Sequence, residues 1–318
     1  MKWFIGLSSV FASLLCAQES SVSKHTSVDI NGHRVVEGPD LVQRKSAKGS
    51  DTTEIMQSVN GRMVPLQRID EKVLRDDANG RLVERTIRRY DPTGNPDMPV
   101  KETIEEQKRP DGSATIQTTT YRTDLNGHPE LIEKSTTEVR ASGATENRDT
   151  VIQRPSPNGS LEAVEKRSIV TVKDAGGYHA ETTKSLRAQN GGFYVAVKQS
   201  TEHVEQGAQS NDNTVEYEMG FEGRLEMHTQ TVTQTVTRPD GSKDVEVDVF
   251  GRHVPGTVEA SAAGKLKLFE QQLIEKRKGP NDSVVETLSV RRPSVSDPKV
   301  LGPAQQLSET VCRGKCEL

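Results

Sequence analysis

Pro110-Asp111-Gly112-Ser113, followed by Ala114-Thr115-Ile116-Gln117-Thr118-Thr119-Thr120-Tyr121, is a turn that feeds a strand. Proline presets φ near −65°, Asp suits the next position, and Gly supplies the positive φ that closes a hairpin with a bulge. The residues after it alternate with period two, as the two faces of a strand require. The same turn returns at Pro157-Asn158-Gly159-Ser160 and Pro239-Asp240-Gly241-Ser242, and degenerately at Pro280-Asn281-Asp282-Ser283.

Outward from these copies, Gly-containing turns recur at Asn60-Gly61, Asn79-Gly80, Asn126-Gly127, Ser142-Gly143, Gly176-Gly177, Asn190-Gly191, Glu222-Gly223 and Phe250-Gly251. Their spacing of about 16 residues leaves strands of roughly 10 to 12, twice the usual length. Thr229-Gln230-Thr231-Val232-Thr233-Gln234-Thr235-Val236 alternates, and Val245-Glu246-Val247-Asp248-Val249 sets valines against carboxylates. The chain therefore reads as all-β: an elongated antiparallel meander of repeated long hairpins, open or curled, with a short N-terminal signal helix. Thr and Gln runs bury little on either face, so register is expected to depend on the turns.

An eroded internal repeat accompanies the turns. Ile104 through Ser113 aligns without gaps with Ile274 through Ser283, and His128-Pro129-Glu130 is echoed by His179-Ala180-Glu181. Measured between Pro-containing turns, the unit is expected at about 41 to 50 residues, two or three strands each. Lys265–Lys278 contains good helix formers, yet its second half aligns with the strand at Ile104, which favours a strand.

Lys2 followed by the apolar run Trp3–Leu15 and Leu15-Cys16-Ala17 forms an export signal with its cleavage site, too short for a membrane-spanning helix. The segments are then 1–17 signal, 18–50 a polar linker or a first strand pair, 51–292 the repetitive β domain, and 293–318 a Pro/Gly-containing tail with a Cys loop. The location is secreted or periplasmic, with lipidation at Cys16 as the alternative. Cys312 and Cys316 are then the remaining cysteines and are expected to form a local disulfide.

Hydrophobic residues make up 32% of the chain and aromatics 4%, and the net charge is −4. Basic and acidic residues are interspersed without a basic block, which excludes a nucleic-acid partner. The expected partner is a protein or polysaccharide of the envelope, and no transmembrane helix is expected in the mature chain. No nucleophile elbow, zinc-protease helix, phosphate loop or dinucleotide fingerprint is present, so neither catalytic residues, nor a metal, nor a cofactor is assigned. Asp76-Asp77-Ala78-Asn79-Gly80 reads as a solvated turn, and the carboxylate pairs Glu216/Glu218 and Glu246/Asp248 as the wet side of a sheet.

Tyr90-Asp91-Pro92-Thr93-Gly94 and the turns Gly61-Arg62-Met63, Gly80-Arg81-Leu82 and Gly223-Arg224-Leu225 resemble fragments of the tyrosine–aspartate repeats of secreted proteins. Only one Tyr-Asp exists, and Asn95 stands where Arg follows in those repeats, so the chain is not assigned to that family. The leading expectation is an exported, non-enzymatic structural or interaction protein acting by surface contact or strand addition at an edge. The alternative is a secreted carbohydrate-binding or carbohydrate-degrading protein, whose site would gather Phe193, Tyr194, Tyr217 and Phe221.

Overall fold

The computed structural model describes residues 17–28, 34–36, 40–47, 49–124, 126–220, 222–252, 266–294, 297 and 300–314. The strands are β1 (Ala17–Val28), β2 (Arg34–Val36), β3 (Asp40–Ala47), β4 (Ser50–Val59), β5 (Arg62–Asp77), β6 (Gly80–Arg89) and β7 (Val100–Lys108). They continue as β8 (Ala114–Thr123), β9 (Pro129–Ser142), β10 (Thr145–Pro155), β11 (Leu161–Asp174), β12 (Gly177–Arg187) and β13 (Phe193–Gln206). The last are β14 (Gln209–Met219), β15 (Leu225–Thr237), β16 (Lys243–Gly251), β17 (Lys267–Lys278), β18 (Val284–Arg291) and β19 (Gln305–Gly314). A single 3-10 turn at Pro280–Asp282 joins β17 to β18.

Every strand from β3 to β19 pairs antiparallel with its sequence neighbours, and β19 pairs back onto β1, which also pairs with β3. The meander therefore closes into an 18-strand barrel instead of an open or curled sheet. Short β2 continues the β3 side of β1 at Thr26–Val28. Closure depends on residues 18–50 and 293–318, because they contain β1, β3 and β19. Among the described residues there is no N-terminal helix; of the segment 1–17 read as the signal, residues 1–16 lie outside the described residues and Ala17 is the first residue of β1.

Pairing registers explain the length of the strands. In the five-residue turns the first N–H donates to the fifth carbonyl, as from Arg109 to Ser113 (2.8 Å), Ser156 to Ser160 (2.8 Å) and Arg238 to Ser242 (2.8 Å). Gly112 takes φ +82°, open only to a residue without Cβ at no cost. The Asp111 carboxylate accepts both the Ser113 N–H (2.9 Å) and its hydroxyl (2.7 Å), and Asp240 does the same for Ser242. These bonds hold both carboxyls below the usual carboxylate range.

The repeat unit is shorter than the expected 41 to 50 residues. Gly127, Gly159, Gly191 and Gly223 recur every 32 residues in equivalent turns, with positive φ at each. Beyond each turn the second strand carries one extra residue: Ile132, Val164, Ala196 and His228, again 32 apart. Leu66, Phe269 and Leu307 occupy the same place in β5, β17 and β19. The unit is two strands, two turns and one β-bulge, which sharpens twist and bends the sheet toward closure.

Up-and-down order gives the barrel two different rims. Ala17 and Gly314 lie at the rim of the β3–β4, β5–β6 and β9–β10 turns, here called the tight rim. The opposite rim, the long-loop rim, carries the recurrent bulges and the longer connection 90–99, and β16 and β18 end there; one further bulge, at Leu74 of β5, lies near the tight rim. Among the described residues, strands make substantial contact only with nearby strands along the ring. A strand spacing of about 4.8 Å and a tilt near 40° give a ring about 35 Å across, wide enough to hold water.

Candidate functional site

A closed ladder gives every strand residue one of two faces, and pairing carries that face around the ring. Val245, Val247 and Val249 share the first face with Thr235, Thr233 and Thr231 of β15 and with Ile274, Gln272 and Glu270 of β17. Asp244, Glu246 and Asp248 share the second with Val236, Gln234 and Val232. Apolar and charged side chains are thus mixed on both faces, which explains the shallow core. Val83, Ile152 and Val290 are buried, whereas Val172, Val204 and Val236 are exposed.

Both faces are laced by cross-strand ion pairs. On the first, Arg85 bridges Glu71 (2.9 Å) and Glu102 (3.4 Å), and Glu165 pairs with Arg167 and Lys184. Burial would push the Glu165 carboxyl up, but these cations hold it below the ordinary range. On the second, Lys198 meets Glu181 (3.3 Å) and Arg109 meets Glu138 (3.1 Å). The carboxylate pair Glu246/Asp248 is occupied by one amide: Gln271 Nε2 donates to both, at 2.8 and 2.9 Å. Asp77 of the acidic turn accepts the Asn79 and Gly80 N–H groups.

A girdle of arginines circles the long-loop rim. Arg154 donates twice to Glu133 (3.1 and 3.0 Å), Arg187 pairs with Glu162, Arg252 with Glu226, and Arg292 with Glu270 (3.0 Å). The recurrence of Arg89, Arg122, Arg154 and Arg187 every 32 or 33 residues is visible in the chain once the unit length is known.

Nearer the tight rim, the His203 ring lies between two carboxylates: Nδ1 is 2.7 Å from Asp212 and Nε2 3.2 Å from Glu205. It stacks on Tyr178 at 4.9 Å. The bonds to Asp212 and then Glu205 raise its pKa. Among the described residues no group of three or more His, Cys, Asp or Glu side chains is arranged to hold a metal.

Of the four rings considered for ligand binding, the three described ones are not gathered. Phe193 and Tyr194 are consecutive in β13 and point to opposite faces; Tyr194 is exposed, and Lys166 Nζ sits 4.4 Å over the Phe193 ring. Tyr217 pairs with Lys198, five residues along β13 from Phe193, and Phe221 lies outside the described residues. Cys312 lies in β19, while Cys16 and Cys316 fall outside the described residues.

No family model matches the chain, and no curated protein matches it. A porin-like protein from Bacteroides uniformis aligns over 78% of this chain and 95% of its own, at 12% identity and a TM-score of 0.18. Intact Ap-TbpB (N and C lobes) aligns over 94% of this chain and 76% of its own, at 7% identity and a TM-score of 0.14. Scores this low carry no argument about the present chain.

Proposed function

We propose that the chain is an exported, non-enzymatic structural or interaction protein of the cell envelope or extracellular space, acting as a water-filled β cylinder with polar walls. The observation that carries this reading is the presence of cross-strand ion pairs on both faces. A barrel spanning lipid needs one face with an apolar band about 25 Å tall, and a Lys or Arg at its midplane costs about 2–4 kcal/mol. Here Lys184 stands on the first face of β12 and Glu181 on the second, each in mid-strand. No described helix is long and apolar enough to cross a membrane either.

Closure also changes the mode of contact. Strand addition needs a free edge, and the β1–β19 ladder removes it, so partners meet side chains and rims. A carbohydrate site would need stacked aromatic platforms, and the register sets Phe193, Tyr194 and Tyr217 apart from one another. Processing after Ala17, lipidation of Cys16 as its alternative, and a Cys312–Cys316 clamp belong to the same proposal; intact mass of the exported protein distinguishes them.

The test is partition. Purified residues 18–318 mixed with lipid vesicles should stay in the aqueous phase, remain open to protease and produce no ion conductance. Protease-protected insertion or stepwise conductance would overturn the soluble-cylinder reading.

A further inference from the structure

Two members of the arginine girdle break its pattern. Arg89 and Arg122 take the places that Arg154 takes one and two units later. Arg154 is opposite Glu133 on the preceding strand and bonds it, whereas Arg122 is opposite Val100 and Arg89 opposite Gln67. The preceding-strand carboxylate that Glu133 supplies is missing at both places. Among the described residues, neither guanidinium has a side-chain hydrogen bond or ion pair.

Both line one cleft of about 690 Å³ on the first face at the long-loop rim. Its apolar surface is Ile87, Met98, Val100 and Ile132. Four carboxylates also reach it, and three are engaged: Glu102 with Arg85, Asp124 with the Asn126 and His128 N–H groups, and Asp97 with the Met98 N–H. Glu130 is in register with Arg122. The acids repel a bare inorganic anion. A ligand must therefore gain from the apolar wall as well as from the guanidiniums.

We propose that this cleft binds a small organic carboxylate with an apolar body. Its carboxylate takes the place that Glu133 holds against Arg154, forked on Arg122 and within the field of Arg89. Its body covers Val100, Ile87 and Ile132.

The experiment is calorimetric titration of residues 18–318 with octanoate and 4-phenylbutyrate, with inorganic phosphate and octanol as controls. Saturable 1:1 binding of at least one carboxylate is expected, with neither control binding comparably. Arg122→Gln should weaken binding at least tenfold, and Val100→Glu, which restores the carboxylate of the unit, should abolish it. Arg154→Gln, on the same rim but paired with Glu133, should leave it unchanged, and circular dichroism confirms that each variant folds. Absence of saturable binding by both carboxylates, equal binding of phosphate or octanol, or indifference to Arg122→Gln and Val100→Glu would overturn the proposal.

Discussion

Ser21 of β1 stands opposite Gly314 of β19, and the ladder runs from there to Ser27 opposite Ser308. These residues lie almost a whole chain apart, yet their pairing turns a meander into a ring. Without it, β1 and β19 would each present an edge of unpaired backbone groups.

Removing residues 305–318 takes away β19, opens the edges of β1 and β18, and should therefore drive self-association. Size-exclusion chromatography with light scattering reads the change. Small-angle scattering of the intact protein should fit a hollow cylinder, and a ribbon-like profile would contradict closure.

Gly177 is held by a close approach. A Cβ there would collide with the carbonyl oxygen of His203 on the paired strand. Gly177→Ala should lower stability by about 1–3 kcal/mol, the usual range for forced overpacking. Gly61 has open space around it but φ +76°, so Gly61→Ala should cost about 1–2 kcal/mol through backbone strain alone. Urea denaturation measures both.

Val83 is 4% exposed and faces Val73 and Ile104 on its two neighbouring strands. Val83→Ala should cost about 2 kcal/mol in urea unfolding. Arg85→Ala, two residues away on the same face, should cost under about 1 kcal/mol because its ion pairs are solvated.

His203 should make stability depend on pH. Its folded pKa is raised, so its contribution is full below the unfolded value near 6.5 and is lost as pH rises through the folded one. The melting temperature should fall between pH 6 and pH 8.5, and His203→Gln should flatten that fall. An equal fall in the variant would assign it elsewhere.

Asp91 should titrate at the acid extreme. Its carboxylate accepts the Thr93 hydroxyl (2.6 Å) and the Asn95 N–H (2.9 Å), and its pKa is lowered to about 2. Its contribution is complete above the ordinary carboxylate value and disappears as pH falls through about 2. Carboxyl NMR shifts should show it still ionised at pH 3, and Thr93→Ala should move the midpoint upward.

The hairpins were legible because each turn declares itself within five residues, as Arg109 to Ser113 does. Closure was not, since nothing local marks Ser21 and Gly314 as partners. The unit length was hidden for a geometric reason. The turn at Pro157 lies on the long-loop rim, whereas those at Pro110, Pro239 and Pro280 lie on the tight rim, so spacing them against one another mixes half-units with whole ones. The girdle at Arg89, Arg122 and Arg154 becomes readable only at the correct period. Adjacency along a strand does not bring rings together: Phe193 and Tyr194, neighbours in β13, point to opposite faces.

A building block of two strands has an arithmetic consequence for the history of such a chain. Gain or loss of one block, such as the stretch from Gly159 to Gly191, leaves an even number of strands and lets the last still meet the first antiparallel. The circumference would change by two strand spacings, altering the diameter by about 4 Å. Duplication or deletion of a block can thus resize the cylinder in small steps without inventing a new way to close it.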